Sequence, residues 1–252
     1  MQYSWRETAD ARKDDVMATS PTALPTVVLV HGAWADGSSW RLVVPLLLDK
    51  GISVVAVQNP TTSLAADVEA TRLVLDSIDG PVVLVGHSWG GAVITQAGND
   101  PKVKALVFVA ALPPKAGESV GDLVGSHPSP PGLSQIIDDG RGMLKLSPEG
   151  WVRDVAQDIP EQDARVLAAV QPPLPASTFG DRITEAAWTT RPNWFIVSAA
   201  DRVVSIELQR ELATRLNART TELDSSHLSI LSQPRAVADV IVGAVDAVAA
   251  AG

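Results

Sequence analysis

No cysteine occurs anywhere in the 252 residues. Disulfides, thiolate nucleophiles and cysteine-ligated metals are thereby excluded. Basic residues are in deficit: 20 Lys and Arg stand against 29 Asp and Glu, a formal net charge of −9. Nor do Lys and Arg cluster, and both features argue against a nucleic-acid partner. A membrane-spanning run is also missing. The longest apolar candidate, 237–251, is interrupted by Asp239, Gly243 and Asp246. The first 25 residues carry Arg6, Glu7, Asp10, Arg12, Lys13, Asp14 and Asp15, without the apolar stretch of a secretory signal. The expectation is a cytoplasmic protein with neither a nucleic-acid nor a membrane partner. No His, Asp and Glu spacing suggests a metal site, and no cofactor is expected.

What is present describes a globular chain. Hydrophobic residues make up 46% and charged residues 19%, and the length allows a large core in one domain, with room for an insertion. Residues 1–24 are polar and read as a flexible arm. Continuous apolar runs at 26–30, 82–85 and 103–110 have the pattern of strands buried on both faces. A further strand is expected at 53–57. Helical patterns lie between them, at 39–49 after a Ser38 cap and at 64–78. This alternation predicts a doubly wound α/β fold with a mainly parallel sheet, right-handed crossovers and ligands at the strand carboxyl ends.

The rhythm breaks at Leu112. Residues 113–192 hold many Pro and Gly, no clean strand pattern, and helical pieces around 133–137, 148–158, 161–170 and 181–189. Eighty structureless residues are improbable in a compact domain, so a mostly helical cap is expected. Strand–helix alternation resumes at 193–198, with a Ser205-capped helix, a short strand at 220–223 and a last helix at 234–249. The core is thus expected to comprise 25–112 and 193–252.

Chemistry is concentrated at Gly86-His87-Ser88-Trp89-Gly90-Gly91. A Gly-x-Ser-x-Gly between an apolar strand and a helix is the context of a nucleophile elbow, where a tight turn lifts the serine hydroxyl above the sheet. Serine needs a base to take its proton. Of the four histidines, His87 is locked in the turn, His31 suits a structural bond to its own loop, and His127 lies among prolines. His227, after the last strand, remains as the base. Asp201 follows an apolar strand and gives the chain order Ser…Asp…His expected for this architecture. Asp224, Glu118 and Asp122 are the competing acids. The backbone N–H groups of Trp89 and Ala33 are the expected oxyanion donors. The Trp34 and Trp89 side chains line the acyl pocket or pack in the core.

These residues, His31-Gly32-Ala33-Trp34, the serine turn, Asp201 and His227, resemble the α/β-hydrolase superfamily over about residues 26–250. Within it the chain is similar to small bacterial esterases related to plant methylesterases and hydroxynitrile lyases. The resemblance implies a sheet of about six strands, Asp201 as acid, His227 as base, and Ala33 and Trp89 as oxyanion donors. The lyases carry Thr at the position of Gly32 and Lys at that of Leu228, so the resemblance favours an esterase. The expected function is hydrolysis of an apolar small-molecule ester through an acyl-enzyme. A lactonase, a carbon–carbon hydrolase and a binding protein on a hydrolase scaffold are the alternatives.

Overall fold

The computed structural model describes residues 24–251. The arm expected over 1–24 lies outside them, Leu24 excepted. The described chain begins with β1 (Thr26–Val30), α1 (Val44–Leu48), β2 (Val54–Ala56), α2 (Leu64–Asp76), β3 (Val82–His87), α3 (Gly90–Ala97) and β4 (Val103–Val109). A long excursion follows, with α4 (Val120–Gly125), β5 (Ile136–Asp138), β6 (Met143–Leu146), α5 (Pro148–Gly150), α6 (Glu161–Val170) and β7 (Leu174–Pro175). The chain then returns through β8 (Asn193–Ser198), α7 (Ile206–Arg215), β9 (Arg219–Leu223), α8 (Ser229–Ser232) and α9 (Pro234–Ala251).

The main sheet has six strands in the order β2-β1-β3-β4-β8-β9. Every pairing in it is parallel. Strands β3 and β8 are buried along their whole length, as continuous apolar runs require, whereas β2 and β9 at the edges remain partly exposed. Helix α2 packs on α3, while α1 packs on α9. Right-handed crossovers place these pairs on opposite faces, because the chain leaves β1 in one direction along the sheet and returns in the other. That reversal is a topological switch between β1 and β3. The loops after those strands flank the crevice in which such sheets bind ligands.

Two local expectations change. A single helix over 39–49 is replaced by a 3-10 turn, Gly37–Trp40, followed by α1. Pro45 explains the break: it lacks an N–H and sits in the first turn of α1. The cap is Asp36, not Ser38, and its side chain accepts the Ser38 N–H at 2.7 Å. The excursion 113–192, expected to be mostly helical, also contains an antiparallel sheet in the order β5-β6-β7. These strands are too short to show an alternation. The helical piece expected at 133–137 is a 3-10 turn, Pro131–Gln135, leading into β5, and that at 148–158 is α5 followed by a π-helical turn, Trp151–Val155. Of the piece at 181–189 only a 3-10 turn, Ala187–Thr189, is present. Among the described residues no helix is long and apolar enough to cross a membrane.

Candidate active site

Ser88 sits where β3 gives way to α3. Its φ is +53°, a left-handed conformation that a side-chain-bearing residue adopts only when its surroundings hold it there. The flanking glycines make the turn possible. A Cβ on Gly86 would lie 2.5 Å from the Gly90 carbonyl oxygen, and one on Gly90 would lie 2.6 Å from that of Val30. Ser88 N–H donates to the Val109 carbonyl at 3.1 Å, which ties the turn to the neighbouring strand.

The residues expected as acid and base arrive from other strands. His227, after β9, donates from Nδ1 to Asp201 Oδ2, after β8, at 2.7 Å. Both side chains are buried. The carboxylate is fixed from several directions: Oδ1 accepts the Val203 and Val204 N–H groups at 2.7 and 3.0 Å, and Oδ2 accepts Gln209 Nε2 at 2.8 Å. The His227 backbone is held beside the serine turn, because His87 Nε2 donates to the His227 carbonyl at 2.8 Å. The two imidazole rings are 4.8 Å apart.

His87 is neutral throughout the working range. Burial, reinforced by the nearby His227, pushes its pKa down to about 3. Its Nε2 carries the proton, leaving Nδ1 bare and without a hydrogen-bond partner among the described residues. His31 is likewise pushed down by burial. It accepts the Asn59 N–H at Nε2 and donates from Nδ1 to the Gly32 carbonyl, each at 2.9 Å, so it shapes the loop after β1. His127 lies elsewhere, against Ser126 and Glu211. The competing acids are engaged away from His227: Glu118 pairs with Arg215, and Asp122 caps α4 and meets Arg182, while Asp224 is exposed.

The loop after β1 presses on Ser88. A Cβ on Gly32 would stand 2.9 Å from Ser88 Cβ. Neither Ala33 N–H nor Trp89 N–H donates to a protein group among the described residues. Ala33, Trp34, Ser88 and Trp89 line a cavity of about 310 Å³, closed from the excursion by Phe179 and aliphatic side chains of α4. No charged residue lines it. Phe179 meets Trp34 and Trp89 edge-on, with ring centroids 5.8 and 5.9 Å away. Both tryptophans are also tethered by their indole N–H, Trp34 to the Leu144 carbonyl at 2.9 Å and Trp89 to Asp67 Oδ2 at 2.8 Å. Among the described residues no group of His, Asp and Glu side chains could hold a metal ion.

Residues 27–240 match the model of the alpha/beta hydrolase family. The chain belongs to this family. A pyrethroid hydrolase of Sphingobium wenxiniae is 28% identical to this hydrolase over 247 residues, covering 88% of each chain. Methylesterase 2 of Arabidopsis thaliana is 25% identical over 256 residues, covering 87% of this chain and 95% of its own. In three dimensions the hydrolase resembles a pyrethroid hydrolase of Sphingobium faniae JZ-2, with a TM-score of 0.76 at 23% identity, over 88% of this chain and 98% of that one. That likeness is one of fold.

Sequence reasoning missed several residues of the hydrolase's site. Gln209 and Asp67 are polar residues on helices, and nothing local marks them as partners of Asp201 and Trp89. The sequence places His87 in the turn, but nothing local marks its ring as the donor to the His227 carbonyl. Phe179 carried a usable signal: it is a lone Phe in a Pro- and Gly-rich stretch.

Proposed function

We propose that this chain hydrolyses neutral, apolar carboxylic esters through an acyl-enzyme on Ser88. His227 Nε2 takes the hydroxyl proton as Ser88 attacks the ester carbonyl. Asp201 holds the imidazole in the tautomer with Nδ1 protonated and stabilises the imidazolium that forms. The Ala33 and Trp89 N–H groups receive the oxyanion, each such donor contributing roughly 3 kcal/mol to the barrier reduction. His227 then protonates the leaving alcohol and activates the water that releases the acid. Residues 113–192 act as the cap that selects the substrate, and the uncharged cavity beneath it favours apolar groups.

The observation that carries this reading is the His227–Asp201 hydrogen bond of 2.7 Å, with the His227 carbonyl held by His87, the neighbour of a Ser88 in left-handed conformation. The esterase and hydrolase names of the relatives support it. The test is hydrolysis of p-nitrophenyl esters of increasing acyl length by the wild type and Ser88→Ala. The expected result is turnover that falls at least about 10³-fold in the variant. Equal rates in the two proteins would overturn the assignment.

A further inference from the structure

Asp201 and His227 stand on separate loops at the edge of the sheet. Within the core, the Ala200 N–H donates to the Ser225 carbonyl at 3.0 Å, and Ser225 Oγ meets Ser198 Oγ at 3.2 Å. The excursion adds bonds to the residues that flank the acid and the base. Gln157 Nε2 donates to the carbonyl of Ala200, immediately before Asp201, at 2.7 Å. Asp154 Oδ1 lies 3.1 Å from Nε of Arg202, immediately after Asp201. Gly132 N–H donates to the Arg202 carbonyl at 2.7 Å. Asp158 Oδ2 accepts the N–H of Ser226, immediately before His227, at 2.7 Å.

Most of these bonds come from a segment that begins in a π-helical turn, Trp151–Val155, a rare form found frequently at functional sites, and continues beyond it to Gln157 and Asp158. It carries the fully buried Asp154, whose other oxygen takes both Nε and Nη2 of Arg153 at 3.0 Å. A buried carboxylate is costly unless paired; Arg153 supplies its hydrogen bonds, and Arg202, on the loop of the acid, adds a nearby charge without a hydrogen bond to Oδ1. The excursion is also tied to the core elsewhere, through Asp181 to the Leu64 N–H and through Thr184 to Gln96, so attachment alone does not require bonds beside Asp201 and His227.

We infer that residues 154–158 of the excursion are positioning residues for the acid and the base, so that seating of the cap completes the geometry of the pair. This rests on the catalytic roles proposed above for Ser88, Asp201 and His227. Small displacements matter because a misplacement of about 1 Å can cost about 10²-fold in rate. Asp158 acts through the Ser226 N–H and Gln157 through the Ala200 carbonyl, and neither needs to touch substrate.

The test uses the full chain with Asp158→Ala, Asp158→Asn, Gln157→Ala and Ser88→Ala. Asparagine keeps an oxygen for the Ser226 N–H. The expected result is a roughly tenfold fall in kcat for Asp158→Ala, with KM within about twofold, and recovery in Asp158→Asn. In the proton NMR spectrum, the downfield resonance of the His227–Asp201 hydrogen bond should shift or broaden in Asp158→Ala and return in Asp158→Asn. Gln157→Ala should lower kcat in the same sense, which keeps the test open if Asp158→Ala does not fold. Wild-type kcat in both alanine variants, a change confined to KM, or no recovery with asparagine overturns the inference. An inert Ser88→Ala beside fully active alanine variants removes only the positioning role. A Ser88→Ala that still hydrolyses the ester removes the positioning role together with the catalytic reading beneath it.

Discussion

At Gly32, the space of one carbon atom decides whether Ser88 keeps its place. A Cβ there would lie 2.9 Å from Ser88 Cβ and 3.1 Å from His87 Nδ1, so either the loop or the serine turn must move. Gly32→Ala is expected to lower kcat/KM on a p-nitrophenyl ester by roughly 10²-fold while leaving the far-ultraviolet circular dichroism unchanged. Undiminished activity would mean that the loop yields freely. Gly32 also shows how far the chain speaks at this scale. Its closeness to a strand end and the Gly-x-Ser-x-Gly turn were legible, because both follow from local backbone demands. The partners of Trp89 and Asp201 were not: Asp67 lies in α2 and Gln209 in α7, where a polar residue ordinarily faces water.

Among the elements, the join between the loop after β1 and the excursion is the most exposed to test. The Trp34 indole N–H donates to the Leu144 carbonyl in β6 and its ring meets Phe179. Trp34→Phe keeps the aromatic contact but leaves that carbonyl without its donor. It should destabilise the fold by about 1 kcal/mol in urea denaturation and raise KM more than it lowers kcat. Phe179→Ala should instead shift the acyl-length optimum upward, because it opens the wall between Trp34 and Trp89; an unmoved optimum would place the acyl group elsewhere. The inner strands of the main sheet were readable from their apolar pattern, since burial on both faces demands largely apolar runs, whereas the partly exposed edge strands β2 and β9 were placed by the alternation with helices. Those of the excursion were not, because β7 is a two-residue strand and β5 a three-residue one. Over so few residues the periods of helix and strand cannot be told apart, and the long-range pairing that creates these strands leaves no local trace.

For the molecule as a whole, two buried histidines with lowered pKa values bind stability to pH. His87 has its pKa near 3 in the folded state against 6.5 in its ordinary surroundings, and His31 is lowered as well. Below pH 6.5 the unfolded chain therefore takes up protons that the folded chain refuses. The stability that His87 contributes is complete above that pH and is lost as the pH falls toward 3, by up to about 1.4 kcal/mol per pH unit, and the lowered pKa of His31 acts in the same direction. The urea midpoint should thus fall steadily between about pH 6.5 and 4.5. His87→Gln, which can still donate to the His227 carbonyl, should flatten that slope by about one proton's worth. An identical slope in the variant would assign the acid sensitivity to other groups.

The contacts from Gly132, Gln157 and Asp158 to the loops of Asp201 and His227 bear on how such a protein can diversify or be re-engineered. A cap that only roofed the cavity would be a modular part, exchangeable between relatives to trade one substrate for another. Here a transplanted excursion would bring its own cavity wall and leave unmatched the bonds that brace two neighbouring loops. Chimeras that retain 131–135 and 151–158 of the host, and graft only the segments bearing α4 and Phe179, should change selectivity without surrendering turnover.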